Sequence, residues 1–193
     1  MMATRRRLAA ALIAAALAAP ALGRGGVQDP GSDRVQRVLK ALDAIQAESL
    51  IPGTRPLRRS DFDEGDFNAY IAYRLEEGKE DVLRELKVKL LDENRIEGRA
   101  LVDLSRQKIP SFIKPRLNLY FEGRLAIKDG KGRFECRKLF LEGSEVPLLV
   151  LDTLIDIAVR LGKTDAESIR AWVDLPYGIK DLKTRAGGLS LYY

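Results

Sequence analysis

A cluster of carboxylates between residues 61 and 66 is the part of the sequence that most resembles a metal site. Acidic side chains at such short spacings are typical of calcium-binding loops. The spacing departs from that of an EF-hand, because Gly65 comes one position early and Ala72 stands where the bidentate glutamate belongs. Helix capping explains the acids, since Asp63 is a good N-cap residue with Asp66 three positions later. We therefore interpret the cluster as a capped helix start.

Catalytic chemistry finds little support in the rest of the chain. Histidine is absent, which excludes Ser-His-Asp and Cys-His catalysis and His-ligated zinc. Ser111 and Lys114 have the Ser-x-x-Lys spacing of penicillin-binding enzymes, but Pro115 follows at once where a helix should continue. A carboxylate pair could hydrolyse glycosides without histidine, yet no pair stands out among the many acids. The sequence favours a non-enzymatic protein without metal or cofactor.

The first 23 residues have the three parts of an export signal. Three arginines at positions 5 to 7 are followed by the short apolar run Leu8 to Ala19 and by a small-x-small site at Ala19-Pro20-Ala21. The apolar run is shorter than the roughly 20 residues that a membrane span needs. We expect a cleaved signal over residues 1–23 and a mature protein in the periplasm or outside the cell. Sec and twin-arginine export both remain open.

Net charge and cysteine content limit which partners and which kind of fold can be predicted. The chain carries a net charge of +5, of which three charges lie in the predicted signal, so the charge does not predict nucleic-acid binding. Cys136 is the only cysteine, so no internal disulfide forms and packing must hold the fold. We expect Cys136 to be a buried apolar residue of a strand.

Hydrophobic periodicity divides the middle of the chain into helices and strands. Apolar residues at helical spacing predict a helix over 33–47, and Phe67, Tyr70 and Ile71 form the buried face of a second helix over 61–77. Alternating apolar residues then predict antiparallel strands near 86–90, 96–104, 117–127 and 134–141. The alternation slips after Cys136, which predicts a bulge. The last residues predict a hairpin that turns at Gly187-Gly188.

The segment Val146 to Leu161 is apolar on nearly every side of the helix that it predicts, so most of its circumference should be covered. A shorter helix follows over 164–172. The predicted fold is therefore α+β, a curved antiparallel sheet wrapped around a long apolar C-terminal helix, with an additional shorter helix and an N-terminal helix. The predicted domains are the signal 1–23, a leader with helix and linker over 24–58, and one α+β domain over 59–193.

Two segments of the chain resemble a known family. They are Glu64 to Ile71, and Leu175 to Ile179 followed by the hairpin Gly187 to Leu191. They are similar to segments of the tubular lipid-binding (TULIP-like) superfamily and its small bacterial envelope members. The resemblance implies a curved sheet around a long helix with acyl chains held between them. The lipoprotein cysteine of that group is missing here, so membrane tethering does not follow, and residues 24–56 have no counterpart.

These features predict an apolar groove between sheet and helix. Gly98, Ala100 and Gly123 are small residues on the apolar face, which would leave room above the sheet. A helix of sixteen residues extends about 24 Å, comparable to an acyl chain. The candidate ligand-binding residues are Phe67, Tyr70, Ile71, Val88, Gly98, Ala100, Val102, Phe121, Leu148, Leu151, Leu154, Ile155 and Ala158.

We thus expect an exported, non-catalytic protein that binds a lipid or another long apolar ligand. The alternative is a cell-envelope interaction module with a filled core and no small-molecule ligand. Basic residues in the loops are either solvated surface charge or a contact for anionic head groups at a membrane surface. They are Arg55, Arg58, Arg59, Lys108, Lys114 and Arg116. The oligomeric state stays open.

Overall fold

The structure of the protein is a computed structural model that describes residues 30–51, 56–78, 82–106, 114–147 and 172–193. The elements in these ranges alternate between two helices near the start and many short strands. In chain order they are α1 (Pro30–Ser49), β1 (Arg59–Asp63), α2 (Glu64–Glu77), β2 (Leu83–Leu90), β3 (Arg95–Asp103), β4 (Arg116–Lys128), β5 (Lys131–Leu141), β6 (Ser144–Glu145), β7 (Val173–Asp174), a 3-10 turn (Pro176–Gly178), β8 (Asp181–Arg185) and β9 (Gly188–Tyr192).

The strands form two antiparallel sheets. The larger sheet is curled and has the order β2-β3-β4-β5-β6, with β7 pairing β5, and the smaller one has the order β1-β9-β8. Tight turns fix the hairpins of the larger sheet. Asp129 and Gly130 between β4 and β5 both have positive φ, at 52° and 71°, as a two-residue hairpin turn of type I′ needs. The bulge is confirmed, because Glu122 pairs with Lys138 while Gly123 pairs with Cys136.

The core lies between the helices and the inner, apolar face of the larger sheet. Phe67, Tyr70 and Ile71 of α2 are buried, as their helical spacing predicted. Val38, Leu42 and Ile45 repeat at the same spacing in α1 and are buried in the same cluster. Burying a side chain of this size contributes about 1.5–3 kcal/mol. The two helices pack against each other, and α2 packs against β2 of the larger sheet.

The prediction of a sheet wrapped around a long C-terminal helix is wrong. The helices that the structure describes are α1 and α2, near the start of the chain, and the larger sheet packs on α2 through β2. The strands also divide into two sheets and not one. The physical reason is that the apolar faces of α1 and α2 share one core cluster with the sheet, whereas the sequence analysis assigned that role to 146–161. Leu148, Leu151, Leu154, Ile155 and Ala158 lie outside the described residues.

Side chains of α2 complete the edge of the larger sheet at β2. The Asn68 side-chain amide donates to the carbonyl of Val88 at 2.7 Å and accepts from the N–H of Val88 at 2.8 Å. The Glu64 carboxylate accepts from the N–H of Leu90 at 2.7 Å. These bonds replace the partner strand that an edge strand lacks. The edge of β2 is thereby covered by a helix.

A second asparagine joins the two sheets. Asn94, in the turn between β2 and β3, accepts from the N–H of Thr184 at 2.8 Å and donates to the carbonyl of Leu182 at 3.4 Å. The Thr184 hydroxyl in turn donates to the carbonyl of Leu91 at 2.6 Å. Asn94 has a φ of 59°, in the left-handed region that asparagine adopts more readily than most residues. The N–H of Gly187 also donates to the carbonyl of Leu90 at 3.0 Å. The smaller sheet is therefore fastened to the larger one at the end of β2 and the turn that follows it.

Candidate functional site

The inner face of the larger sheet carries a group of half-buried apolar side chains beyond the part that the helices bury. We call this group the apolar strip and define it as Val102, Leu119, Phe121, Phe134 and Leu141. The register makes its members neighbours, since Leu119 pairs with Leu141 across β4 and β5. The rings of Phe121 and Phe134 meet edge to face, with centroids 5.5 Å apart. A continuous apolar surface that is only half-buried suits an apolar ligand.

Aromatic rings occupy the space above the glycines of this face. A Cβ on Gly98 would lie 2.2 Å from Cζ of Phe121, and a Cβ on Gly123 would lie 2.5 Å from Cζ of Phe134. The interpretation that these small residues leave room for a ligand is therefore wrong. Phe121 stands directly opposite Gly98 in the register, so its ring folds over the strand where no side chain competes. Any ligand must lie on the rings and not beneath them.

The structure brings most described candidate residues into one region, but at different depths. Phe67, Tyr70, Ile71, Val88 and Ala100 are buried in the core cluster, where they pack against protein. Val102 and Phe121 remain half-buried and belong to the apolar strip, while Gly98 lies under the Phe121 ring. Sequence reasoning missed Leu119, Phe134 and Leu141 as site residues. Their alternation with charged neighbours indicated that they face the core. Which of the apolar residues on that face stay half-buried depends on where the helices end, and the alternation does not show this.

A polar group borders the same core at the other side of α2. We call it the tyrosine cluster and define it as Tyr70, Tyr73, Arg74, Glu77 and Tyr177. The Tyr73 hydroxyl donates to Glu77 at 3.2 Å, and Arg74 donates to Glu77 through Nη1 at 2.8 Å. Tyr70 is completely buried, and burial raises the pKa of its hydroxyl. Tyr177 adopts the left-handed conformation, with φ of 58° and ψ of 20°.

Two donors of this cluster are buried without an acceptor among the described residues. They are the Tyr70 hydroxyl and the Nε of Arg74. A buried donor without a partner costs about 1–3 kcal/mol. Folded proteins hold few such groups, and each one requires an explanation. The tyrosine cluster is therefore the second candidate site of the described part of the chain.

The carboxylates of residues 61–66 have structural partners. Asp63 and Asp66 form the predicted capping box, with the Asp66 N–H donating to Asp63 at 2.7 Å. Asp66 is buried and forms ion pairs with Arg37 at 3.0 Å and Arg34 at 3.4 Å, which tie α1 to α2. Within the described ranges no group of three or more potential metal ligands comes together. The cluster thus serves the packing of the helices.

The described basic residues of the loops also stand near carboxylates. Arg58 pairs with Glu48, and Arg59 pairs with Asp61 at 2.7 Å. In a separate group, Arg116 lies 3.6 Å from Asp103. Lys114 reaches Glu142 at 4.0 Å, and Arg55 and Lys108 lie outside the described residues. Such exposed pairs contribute little to stability, and they reduce the positive charge that a head group would meet.

Lowered pKa values of surface carboxylates predict a loss of stability in acid. Hydrogen bonds from Ser190 and then Arg59 lower the pKa of Asp61, and a hydrogen bond from Arg99 lowers that of Glu85. Their stabilisation is complete above the unfolded pKa of about 4 and is lost as the pH falls through the lower folded value. We expect the free energy of unfolding, measured by urea titration, to decrease below about pH 4.

The variant Asp61→Asn tests this assignment. It should flatten part of the decrease, because its side chain no longer binds a proton on unfolding. Glu76→Gln, which removes an exposed carboxylate of α2, is the control. An Asp61→Asn curve parallel to that of the unmodified protein would contradict the assignment.

Comparison with known proteins does not assign the chain to a family. No protein-family model matches the chain, and no curated protein matches it. Among the described residues, no helix has both the length and the apolar character to cross a membrane. The functional argument therefore rests on the geometry of the apolar strip and the tyrosine cluster.

Proposed function

We propose that the protein is a non-catalytic binding protein that holds a long apolar ligand, such as a lipid acyl chain, against the apolar strip. The observation that carries the proposal is the half-buried state of five neighbouring apolar side chains on the inner face of the larger sheet. The opposite face of the same strands carries charged pairs such as Lys138–Glu122, at 3.2 Å. The contrast makes the inner face the better surface for hydrocarbon.

Elementary energetics supports an acyl chain as the ligand. Each buried methylene contributes about 0.8 kcal/mol, so a chain of several methylenes binds without a polar anchor on the strip. The rings of Phe121 and Phe134 add flat apolar area at little cost in side-chain entropy. The predicted export signal and the resemblance to tubular lipid-binding proteins agree with this function, and both remain predictions.

A charged residue within the strip tests the proposal. We expect Leu119→Lys to weaken the binding of a fluorescent fatty acid at least tenfold, because the ligand loses an apolar contact and meets a charge that must be desolvated. Tyr120→Lys is the matched control, since Tyr120 is the next residue of β4 and is exposed on the opposite face. Its affinity should stay within about twofold of the unmodified protein, which corresponds to less than 1 kcal/mol.

Two results would reject the proposal. One is a purified protein that takes up no fluorescent fatty acid and shows no bound lipid in native mass spectrometry. The other is an equal loss of affinity in Leu119→Lys and Tyr120→Lys, which would place the probe elsewhere. Circular dichroism of both variants checks that each one folds.

We further propose, as the second candidate, that the protein is a cell-envelope interaction module without a small-molecule ligand. The filled space over Gly98 and Gly123 favours it, as do exposed apolar residues near the end of α1. Leu50 and Leu57 are 76% and 56% exposed. A photo-crosslinking residue at Leu50 should then capture a protein partner in cells, whereas one at Lys87, on the charged face of β2, should not. Equal labelling from both positions would reject this candidate.

A further inference from the structure

The two orphaned donors of the tyrosine cluster lie on one side of α2. Tyr70 and Arg74 are four residues apart, a spacing that makes side chains neighbours on a helix. The hydroxyl of Tyr70 and the Nε of Arg74 have no hydrogen-bond partner among the described residues, although both atoms are buried. A pair of buried donors side by side creates a place for an acceptor atom from outside the chain.

The carboxylate of Glu77, which belongs to the same cluster, already accepts hydrogen bonds from two other donors. Glu77 accepts from the Tyr73 hydroxyl at 3.2 Å through one oxygen and from Arg74 at 2.8 Å through the other. Its two oxygens thus bind the Tyr73 hydroxyl and Nη1 of Arg74, which is a different nitrogen from the orphaned Nε. The donors that remain are those that face the buried side of the cluster.

Charge decides which acceptor fits. The positive charge of Arg74 is balanced by Glu77, 2.8 Å away. The one positive charge of the cluster is thus already paired, and a ligand carboxylate or phosphate would bring a second negative charge beside Glu77. An uncharged acceptor accepts the same two hydrogen bonds without that repulsion.

We infer that the tyrosine cluster binds an uncharged carbonyl group of the ligand, as in an ester or amide of an acyl chain, through the Tyr70 hydroxyl and the Arg74 Nε. The inference rests on the proposed function and adds that the apolar ligand carries a polar group at one end. Tyr73 and Tyr177 pack against the same core cluster as Val102, Leu119 and Phe121. The tyrosine cluster and the apolar strip thus border the same core.

The conformation of Tyr177 supports a binding role for this region. A tyrosine with φ of 58° is strained, and such strain gathers at functional sites. The turn is held in place by α1, because a Cβ on the next residue, Gly178, would lie 2.6 Å from the Cβ of Ser49. The chain thereby positions the ring of Tyr177 beside Tyr70 and Arg74.

The test compares three probes of equal chain length: an alkane, a fatty-acid methyl ester and the free fatty acid. The unmodified protein should bind the ester about tenfold more tightly than the alkane. This ratio corresponds to the net free energy that about one hydrogen bond contributes. The free acid should show no such gain. Tyr70→Phe should bring ester affinity down to that of the alkane and leave the alkane unchanged. Tyr120→Phe, which removes a hydroxyl exposed on the opposite face of β4, is the matched control and should keep the preference for the ester.

Each outcome decides a separate claim. Equal affinity for ester and alkane in the unmodified protein overturns the carbonyl site and leaves the proposed function intact. Tightest binding of the free acid overturns the choice of an uncharged group. No binding of any probe overturns both the inference and the proposed function. Tyr70→Phe should unfold at an unchanged or higher urea concentration, and a clear loss of stability would mean that its hydroxyl already has a partner inside the folded protein.

Discussion

Replacing Asn68 by alanine is expected to lower the free energy of unfolding by about 2–4 kcal/mol. The variant removes two hydrogen bonds to Val88, of 2.7 and 2.8 Å, and a third of 3.0 Å to the carbonyl of Glu64. It leaves both the N–H and the carbonyl of Val88 without these side-chain partners. Val88 is 4% exposed, so water replaces those bonds poorly. Urea unfolding followed by circular dichroism measures the effect. It should exceed the cost of deleting an ordinary surface amide, because two backbone groups lose partners at once.

Asn118→Ala is the matched control for this variant. Asn118 lies on β4, and its side chain makes one exposed contact of 3.4 Å with Glu142. Its loss should change the free energy of unfolding by no more than about 0.5 kcal/mol. Asn68→Asp adds a finer test, since its carboxylate keeps the acceptor for the Val88 N–H but faces the Val88 carbonyl without a donor. Equal stability of Asn68→Ala and Asn118→Ala would show that α2 does not hold the edge of β2 in this way.

Replacing Gly123 by alanine is expected to lower the free energy of unfolding by about 1–3 kcal/mol. The added Cβ would lie 2.5 Å from the backbone carbonyl oxygen of Glu135 and 2.5 Å from the Phe134 ring. The carbonyl belongs to the neighbouring strand at the bulge, so it moves only if the pairing of β4 and β5 changes. Thermal or urea unfolding of the purified variant gives the value directly.

Gly98→Ala provides the comparison for Gly123→Ala. Its added Cβ meets only the ring of Phe121, a half-buried side chain that can rotate away. The cost should therefore be smaller, and the displaced ring should expose more of the apolar strip. A larger decrease in the free energy of unfolding for Gly98→Ala than for Gly123→Ala would contradict the view that contact with a backbone atom is the more destabilising of the two.

Local features of the fold follow closely from the sequence, because they depend on neighbouring residues. The capping box of Asp63 and Asp66, the turn at Asp129-Gly130 and the bulge after Cys136 are all confirmed. Each depends on backbone conformations or side-chain periods that a few residues determine. The C-terminal hairpin is confirmed for the same reason, but it turns at Ala186-Gly187, one residue before the predicted Gly187-Gly188, because Gly188 pairs with Arg185.

Features that depend on distant contacts were missed or wrong. Asn68 was given no structural role by the sequence, because its partner Val88 is twenty positions away. Gly98 suggested open space, because its opposite residue, Phe121, follows from a strand register that the sequence does not fix. The orphaned donor of Tyr70 is likewise visible only once the surroundings of α2 are known. The half-buried strip and the tyrosine cluster therefore emerge from packing and not from motifs.

Among the strands that the structure describes, β1 comes first in the sequence and β9 comes last. Their pairing, from Arg59 with Tyr192 to Asp63 with Gly188, closes the smaller sheet. The Asn94 turn needs Leu182 and Thr184, which lie in β8, just before β9. A ribosome must therefore release the chain through β9 before β1 can pair. A product that terminates before β9 leaves β1 without this partner strand and exposes backbone N–H and C=O groups that β9 would pair.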